Sequence, residues 1–478
     1  MNIQALQTQM PLLSPIPASS LSSPNGGPVS ARSDLNARFQ ERIVVNAALS
    51  RKLVSYQGNK HVPGLRWMKY KEGFSTELVA SLLDSTQGSS VLDPFSGIGT
   101  TALTAGARKM ASTGIEIMPI GNLAARAIAC GANGVAREAF AKAASGLLDY
   151  ISCGNGASDF PHLRITEGAF SDKTERAISR ARHYVKQLDD IDLRAMLELA
   201  CASVLEEVSY TRKDGQYLRW DPRSGRTAST RLNKGEIPTM EAALNRKAQE
   251  MIADLPLIAR RFQGDSPRFI DGSSLEELRK QPSATIDTVI TSPPYANRYD
   301  YTRTYALELA YLGYSDARVK QLRQELLSAT VENRSKRKML TESYCGSSLP
   351  EKAFKLVDEQ DALNEALEIL RVHAGELGNP HVIRLIENYF SEMAVIIREL
   401  ARLVRPGGNV FMVNDNVRYH GEEIPVDLIL SHFAEESGFK CKVIWTLKRG
   451  KGNSSQQMGK FGRQEIRKCV YHWVRTHD

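Results

Sequence analysis

A threonine, a serine, two prolines and a tyrosine, residues 291–295, directly follow a short apolar segment, residues 286–290, that reads as a β-strand. Each of the two prolines, Pro293 and Pro294, fixes its own φ angle and restricts the residue before it. The Ser292 hydroxyl and the nearby main-chain carbonyls should therefore be held in one geometry beside the ring of Tyr295. A flat ring with an exocyclic amine can stack there while its amine donates hydrogen bonds to these oxygens. The tetrapeptide predicts a pocket for an aromatic amine; the alternative is an ordinary proline-rich turn.

A second motif lies far upstream and reads as strand, glycine turn and helix. Its two glycines allow a tight turn and a close approach of the backbone to a ligand. The spacing Gly-x-Gly-x-x-Ala by itself also fits a nicotinamide dinucleotide site, but an oxidoreductase leaves the Ser-Pro-Pro-Tyr segment unexplained. The candidate ligand-binding residues of this motif are Asp93, Pro94, Phe95, Gly97, Gly99, Thr100 and Thr101.

Together the two motifs resemble those of the DNA amino-methyltransferases. The catalytic motif of that family reads Ser/Asn/Asp-Pro-Pro-Tyr/Phe, and Asp93-Pro94-Phe95 is similar to its S-adenosylmethionine loop. The resemblance covers the sheet elements, about half of the chain. It implies an α/β fold, a Rossmann-like class I methyltransferase sheet carrying two mainly helical insertions. It also implies S-adenosyl-L-methionine as the cofactor, with no metal required.

Three further residues are candidates for cofactor binding. Glu116 ends a second strand, where a carboxylate can accept both ribose hydroxyls of a nucleoside; the alternative is a solvated charge. Phe74 lies in a segment, 66–75, that resembles the one covering the methionine end of the cofactor; the alternative is a core phenylalanine. By the same resemblance Asp271 would hold the adenine amine, although it could equally belong to a helix N-cap.

Composition is that of a globular protein. The chain has 478 residues, 42% hydrophobic and 24% charged, with a net charge of +8, so contact with nucleic acid must depend on local patches. No apolar run approaches the length of a membrane span, and no signal pattern begins the chain, which predicts a cytoplasmic location. The six cysteines are scattered without zinc-site spacing. The absence of a Pro-Cys dipeptide argues against methyltransferases that use a cysteine nucleophile on ring carbon 5 of cytosine.

The pattern along the chain predicts one catalytic fold interrupted by two long insertions. Ser, Pro, Gly and Gln dominate the start of the chain, which predicts disorder; the two insertions show helical periodicity. The predicted divisions are a disordered tail (1–35), a first core segment with the cofactor motifs (36–120), a helical insertion (121–264), a second core segment with Ser-Pro-Pro-Tyr (265–303), a second helical insertion (304–402) and a third core segment (403–478).

The first insertion contains the best candidate for DNA contact and target recognition. Basic side chains there are interleaved with aromatic ones, a combination that suits phosphate contact plus stacking. The alternative is a solvated basic hairpin whose aromatic side chains pack on its own helices. The residues predicted to bind DNA are Arg212, Lys213, Tyr217, Arg219, Trp220 and Arg223. A second basic run, 448–453, continues toward Lys460 and Arg463.

The combined reading is a site-specific DNA methyltransferase acting on the N4 amine of cytosine in double-stranded DNA. It would belong to a restriction-modification or related defence system, with a cognate restriction endonuclease as a partner. Serine at the first motif position is commoner among the cytosine-amine enzymes that the chain resembles. The alternatives are adenine-N6 methylation of DNA, methylation of RNA or of protein glutamine, and a catalytically silent DNA-binding protein with a methylase fold.

Overall fold

The computed structural model describes residues 30–153, 160–214, 217–225, 235–448, 461 and 465–477. Within these residues no helix is long and apolar enough to cross a membrane. The strands are β1 Ile43–Val45, β2 Ser90–Asp93, β3 Ala111–Glu116, β4 Thr211–Asp214, β5 Tyr217–Trp220, β6 Arg268–Asp271, β7 Ile286–Thr291, β8 Val404–Asp415, β9 Val417–Tyr419, β10 Glu422–Ile424, β11 Phe439–Thr446 and β12 Lys468–Arg475.

The α-helices of the described residues cover the sheet and build both insertions. They are α1 Ala31–Phe39, α2 Thr76–Asp84, α3 Thr100–Gly106, α4 Pro119–Ala132, α5 Arg137–Cys153, α6 Asp172–Lys186, α7 Ile191–Val204, α8 Met240–Arg261, α9 Ser274–Glu277, α10 Tyr301–Thr304, α11 Ala306–Tyr311, α12 Asp316–Glu325, α13 Arg337–Ser343, α14 Leu349–Asp358, α15 Asp361–Val372, α16 Val382–Leu403 and α17 Val426–Glu435.

Eight of the strands form one sheet in the order β1-β11-β12-β8-β7-β2-β3-β6. The pairs among β8, β7, β2, β3 and β6 are parallel, whereas β12 runs antiparallel to both of its neighbours. From β2 the chain continues to β3 and β6 on one side, and then returns to β7 on the other side. Strands β2 and β7 therefore flank the point where the strand order reverses. This strand order confirms the expected Rossmann-like fold. In open α/β sheets, ligands bind where the order reverses.

The structure moves the start of the folded region upstream of residue 36. Helix α1 begins at Ala31, and the Ser30 side chain caps it by accepting from Ser33 N. Leu35 is buried, and Arg32 forms ion pairs with two glutamates of the body. These contacts explain why residues 31–35 are helical although the composition around them predicts a disordered tail; residues 1–29 lie outside the described region of the chain.

The two insertions are less separate from the sheet than their sequence ranges suggest. Helix α4 packs on β3 and β6, and α16 packs on β8. Both are therefore sheet-covering helices inside ranges predicted as insertions. Helices α5–α8 build a second hydrophobic core that also takes in α11. Its buried residues, such as Leu197 and Tyr311, lie in both insertions, so the two predicted insertions fold against each other.

Candidate active site

The carboxyl ends of β2 and β7 bring the two sequence motifs together. Asp93, the last residue of β2, is 2% exposed and accepts hydrogen bonds from Phe95 N and from the hydroxyl of Thr291, the last residue of β7. Burial raises the pKa of Asp93 to about 6, and these hydrogen bonds partly oppose that rise. Ser292 follows Thr291 directly, so the position of Asp93 is coupled to the position of the Ser-Pro-Pro-Tyr segment.

Glu116 ends β3, the neighbour of β2, and is also buried. Its Oε2 accepts from Gly97 N at 2.6 Å, and its Oε1 accepts from Met118 N at 2.7 Å. Burial raises the pKa of Glu116 to about 7, while the two N–H donors act in the opposite direction. Each carboxylate oxygen has a second lone pair, so the side chain can still accept hydroxyl donors from a ligand.

The two glycines of the turn have different structural roles. Both have positive φ angles, +54° at Gly97 and +84° at Gly99. A Cβ at Gly97 would lie 2.9 Å from Tyr70 Cε1, within the pocket wall, whereas a Cβ at Gly99 would lie 2.8 Å from Phe269 Cζ in the packing between strand and helix. Gly97 therefore allows Tyr70 of the pocket wall to lie close to the turn, whereas Gly99 allows α3 and α4 to pack closely against the sheet.

One pocket joins the two motifs; it contains about 570 Å³ of space not filled by protein atoms and is partly open to solvent. It extends from the cofactor motif to the start of the Ser-Pro-Pro-Tyr segment. The predicted site residues in its wall are Pro94, Phe95, Gly97, Glu116, Ser292 and Pro294.

The remaining predicted cofactor residues lie outside this wall. Phe74 is 3% exposed and belongs to a hydrophobic cluster with α2, so it is a core phenylalanine. The carboxylate of Asp271 accepts from Asn122 Nδ2 at 3.0 Å, and the pocket is instead lined there by Ser273 and Ser274. Thr100 lines an adjoining cavity, and the Thr101 hydroxyl donates to Ile290 O at 3.2 Å.

Strand β9 contacts the chain immediately after the Ser-Pro-Pro-Tyr segment. Tyr419 in β9 is buried and donates its hydroxyl to Ala296 O at 2.5 Å. The Ser292 hydroxyl lies 3.4 Å from the Tyr295 hydroxyl, Pro293 is buried, and Tyr295 is half-buried. Burial also raises the pKa of Tyr295, so this phenol stays neutral.

Among the pocket residues that the sequence reasoning missed are Tyr70, Glu72, Met118 and Tyr301. Two of them lie in the segment 66–75, for which Phe74 was the sequence-based choice. Tyr70 stacks on Tyr305 with ring centroids 5.2 Å apart. The three closely spaced tyrosines at positions 299, 301 and 305 are the sequence signal that could have predicted an aromatic wall of the pocket.

Three residues of the predicted DNA-binding segment make contacts within the protein. Lys213 is 6% exposed, pairs with the buried Glu308 and lies 4.2 Å above the Tyr305 ring. Trp220 packs against the core of the first insertion. Arg223 pairs with Asp221 and donates to Ser209 O at 3.1 Å. These three side chains anchor the β4–β5 hairpin to the body of the protein.

Two other residues of that segment, Tyr217 and Arg219, are more accessible. Tyr217 is 37% exposed, and the guanidinium of Arg219 lies 5.9 Å from its ring centroid. Arg219 itself is exposed and Arg212 is half-buried. The hairpin contacts α10, whose Tyr301 lines the pocket. The basic run 448–453 lies outside the described residues apart from Lys448.

Among the residues that the structure describes, one group of side chains could hold a metal ion: His373, Glu376 and His420. The histidine rings are stacked with centroids 4.6 Å apart. His373 Nδ1 and Glu376 Oε1 lie 3.2 Å apart, and Glu376 accepts the hydrogen bond when Nδ1 carries the proton. None of the three lines the pocket between the two motifs.

Comparison with known proteins extends the likeness over most of the chain. It is 42% identical over 451 residues to Type II methyltransferase M.BsoBI of Geobacillus stearothermophilus, a match covering 89% of this chain and 88% of that protein. It is 40% identical over 456 residues to Type II methyltransferase M.AvaI of both Nostoc sp. and Anabaena variabilis, covering 92% of each chain. No family model and no solved structure matches.

Identity at this level over nine-tenths of the chain includes residues of both insertions as well as the sheet. It agrees with the strand order and with a pocket in which two distant motifs meet at the point where that order reverses. The chain therefore belongs to the Type II DNA methyltransferases.

Proposed function

We propose that the protein transfers a methyl group from S-adenosylmethionine to the exocyclic N4 amine of cytosine at a specific DNA sequence. It would act as the modification enzyme of a restriction-modification system and could be paired with a cognate endonuclease. The observation that carries the proposal is the single pocket between Ser292 and Glu116. A nucleoside cofactor held at one end of that pocket would lie beside an amine held at the other.

The residues at the Glu116 end fit a nucleoside bearing an amino-acid tail. The absence of a Cβ at Gly97 lets Tyr70 of the pocket wall lie against the turn, and Glu116 keeps lone pairs for the two ribose hydroxyls. Apolar walls from Ile117, Met118 and Leu275 suit a purine ring. The cofactor would supply an electrophilic methyl group on a positively charged sulfur.

The residues at the Ser292 end would prepare the amine. Its lone pair is delocalised into the cytosine ring, so it is a weak nucleophile until the nitrogen becomes more pyramidal. Hydrogen bonds donated by the amine to the Ser292 oxygen and to a main-chain carbonyl of the proline segment favour that geometry. Alignment of nitrogen and methyl supplies much of the acceleration. The nitrogen would gain the methyl as the methyl–sulfur bond breaks, S-adenosylhomocysteine would be the leaving group, and the methylated amine would lose its extra proton to water, with no covalent enzyme intermediate.

An amine inside a duplex cannot reach this pocket, so the base has to be flipped out at a cost of a few kcal/mol. The half-buried Tyr295 can recover about 1–3 kcal/mol of this by stacking. The β4–β5 hairpin, with Tyr217 and Arg219 at its accessible side, would contact the duplex. Its position beside α10 supports this role, because α10 contributes a pocket residue.

Cytosine is preferred over adenine because Ser292 is neutral. It can accept a hydrogen bond from the amine without taking up that amine's proton, whereas aspartate could do both. Adenine-N6 methylation is the second candidate, since an adenine amine can donate to the same two oxygens. Methylation of RNA is the third, because a single-stranded base needs no flipping.

The experiment is methyl transfer from labelled S-adenosylmethionine to duplex DNA and to RNA, followed by digestion and mass spectrometry of the nucleosides. We expect labelled N4-methyldeoxycytidine and no label with Ser292→Ala, which removes the acceptor but keeps the backbone. Labelled N6-methyldeoxyadenosine would overturn the choice of base. Label found in RNA alone would overturn the substrate class.

A further inference from the structure

Glu72 lines the pocket but has no role in the chemistry proposed above. It lies in the 66–75 segment and, with Tyr70, lines both the pocket between the motifs and an adjoining cavity. A Cβ at Gly97 would lie 3.6 Å from the Glu72 carbonyl oxygen. Glu72 therefore covers the glycine turn, next to the place where the pocket wall comes closest to the backbone.

The two oxygens of its carboxylate are in different environments. Oε2 accepts the Tyr305 hydroxyl at 2.5 Å. Oε1 is buried and has no hydrogen-bond partner among the described residues. The lysines near it are engaged elsewhere, because Lys71 Nζ donates to Lys213 O at 2.9 Å and Lys213 Nζ pairs with Glu308. Within the described residues, Oε1 thus has no hydrogen bond of regular geometry, and the Tyr299 hydroxyl near the same carboxylate is equally unpartnered.

The negative charge of this carboxylate acts on the surrounding aromatic wall. Burial raises the pKa values of Tyr299, Tyr301 and Tyr305, and the charge of Glu72 raises each of them further. The rings thus stay neutral and surround an anion. Glu72 is half-buried, but its Oε1 is shielded from solvent, and a charged oxygen without solvent or a partner favours a bound cation; aromatic faces add attraction for a cation placed over them.

We propose that Glu72 binds the α-ammonium group of the methionine moiety of S-adenosylmethionine through Oε1. This inference rests on the proposed use of that cofactor. The ammonium is the compact cationic donor of the ligand, and its three hydrogens can satisfy the unpartnered oxygen. The Glu72 carbonyl beside the Gly97 turn is a second acceptor in reach of the same segment. Glu72 is thus assigned the role for which the sequence favoured Phe74.

The first test varies the ligand and keeps the wild-type protein. Calorimetric titration compares S-adenosylhomocysteine with its analogue lacking the amino group, and S-adenosylmethionine with its decarboxylated form, which keeps the amine. We expect loss of the amine to weaken binding about 10- to 100-fold, the range of one hydrogen bond to a charged group. Loss of the carboxylate should weaken binding less. Equal affinity of S-adenosylhomocysteine with and without its amine would overturn the proposal.

The second test varies the protein. Glu72→Gln removes the charge and keeps the shape, and Glu77→Gln removes an exposed charge on α2 as a matched control. We expect Glu72→Gln to weaken S-adenosylmethionine and S-adenosylhomocysteine by the same factor, again about 10- to 100-fold. Binding of 5′-methylthioadenosine, which lacks the amino-acid tail, should not change, and this result would also show that the pocket is intact.

Three outcomes would contradict the assignment. Weakening of S-adenosylmethionine alone would place Glu72 at the sulfonium, which S-adenosylhomocysteine lacks. Equal weakening of all three ligands in a folded Glu72→Gln protein would place Glu72 at the nucleoside and not at the amino-acid tail. Unchanged cofactor affinity with a raised KM for DNA would place Glu72 at the base. Failure of the wild-type protein to bind S-adenosylmethionine would instead refute the proposed function itself.

Discussion

The Thr291 hydroxyl donates a hydrogen bond of 2.7 Å to the carboxylate of Asp93, 198 positions away in the sequence. One residue ends β7 and the other ends β2, and both are almost completely buried. This contact links the glycine turn to the segment that presents Ser292. A substitution at Thr291 should therefore affect both the cofactor motif and the position of Ser292.

We expect Thr291→Val to lower the free energy of unfolding by about 1–3 kcal/mol, because it leaves a buried carboxylate oxygen with one donor fewer. Methyl transfer should fall as well, since Ser292 loses its connection to Asp93. Urea denaturation measures the first effect and single-turnover kinetics the second. Thr291→Ser restores the hydroxyl and should recover most of both; equal losses in the two variants would show that the hydrogen bond is not the cause.

The raised pKa of Glu116 predicts a pH dependence of cofactor binding. In the free protein this carboxyl has a pKa of about 7, against an ordinary 4.5, so it is protonated below that pH and is then a poorer acceptor for ribose hydroxyls. Affinity for S-adenosylhomocysteine should rise as pH increases through 7, with about a tenfold loss one unit below the pKa if only the ionised form binds.

Glu116→Gln cannot ionise and provides the control. Its affinity should be lower at high pH and nearly independent of pH between 6 and 8. The same linkage has the opposite sign for folding of the free protein. Because the folded state holds this proton more tightly, the contribution of Glu116 to stability decreases as pH rises from about 4.5 to about 7. A titration slope in Glu116→Gln equal to that of the parent would assign the pH effect to another group.

The accessible side of the β4–β5 hairpin should contribute to DNA affinity. Replacing Arg219 by Gln removes one phosphate contact and should reduce the slope of log K against log salt by about 0.9. Replacing Tyr217 by Ala should weaken binding without changing that slope, because stacking releases no counterions. Fluorescence anisotropy at several salt concentrations measures both, and an unchanged slope in Arg219→Gln would mean that this arginine makes no phosphate contact.

Lys213 should behave differently from Arg219 although both belong to the same hairpin. Lys213→Met removes one partner of a buried ion pair and leaves Glu308 uncompensated, which typically costs about 3–5 kcal/mol. We expect a large loss of stability in urea denaturation, and an unchanged salt slope in the fraction that folds. Lys213→Met combined with Glu308→Leu should recover some of the stability; a reduced salt slope in Lys213→Met would instead indicate a phosphate contact.

The sheet and the meeting of its two motifs follow from sequence because their signals are local. The apolar segment before Ser292 predicts a strand that ends there, and the glycine turn after Asp93 predicts that another strand ends at Asp93. The parallel arrangement then places both at one edge of the sheet. The fold class could be predicted for this reason, and it is confirmed.

Side-chain orientation was harder to predict. Phe74 and Glu72 are two residues apart, and nothing in their spacing shows which one faces the pocket. Lys213 looks like any exposed lysine until Glu308, 95 residues later, is placed beside it. Such choices depend on tertiary partners, which short motifs do not contain.

The pairing of β3 with β6 has a consequence for how such an enzyme can change its target. The first insertion leaves the sheet after Glu116 and returns at Arg268, and these strands are direct neighbours. Both attachment points lie on the far side of β2 from the Asp93–Thr291 contact. New loops or helices can therefore replace portions of this insertion without shifting the reacting groups. If the proposed DNA contacts of the β4–β5 hairpin select the target, target choice and chemistry would be carried by different stretches of chain, and one could diverge while the other stays constant.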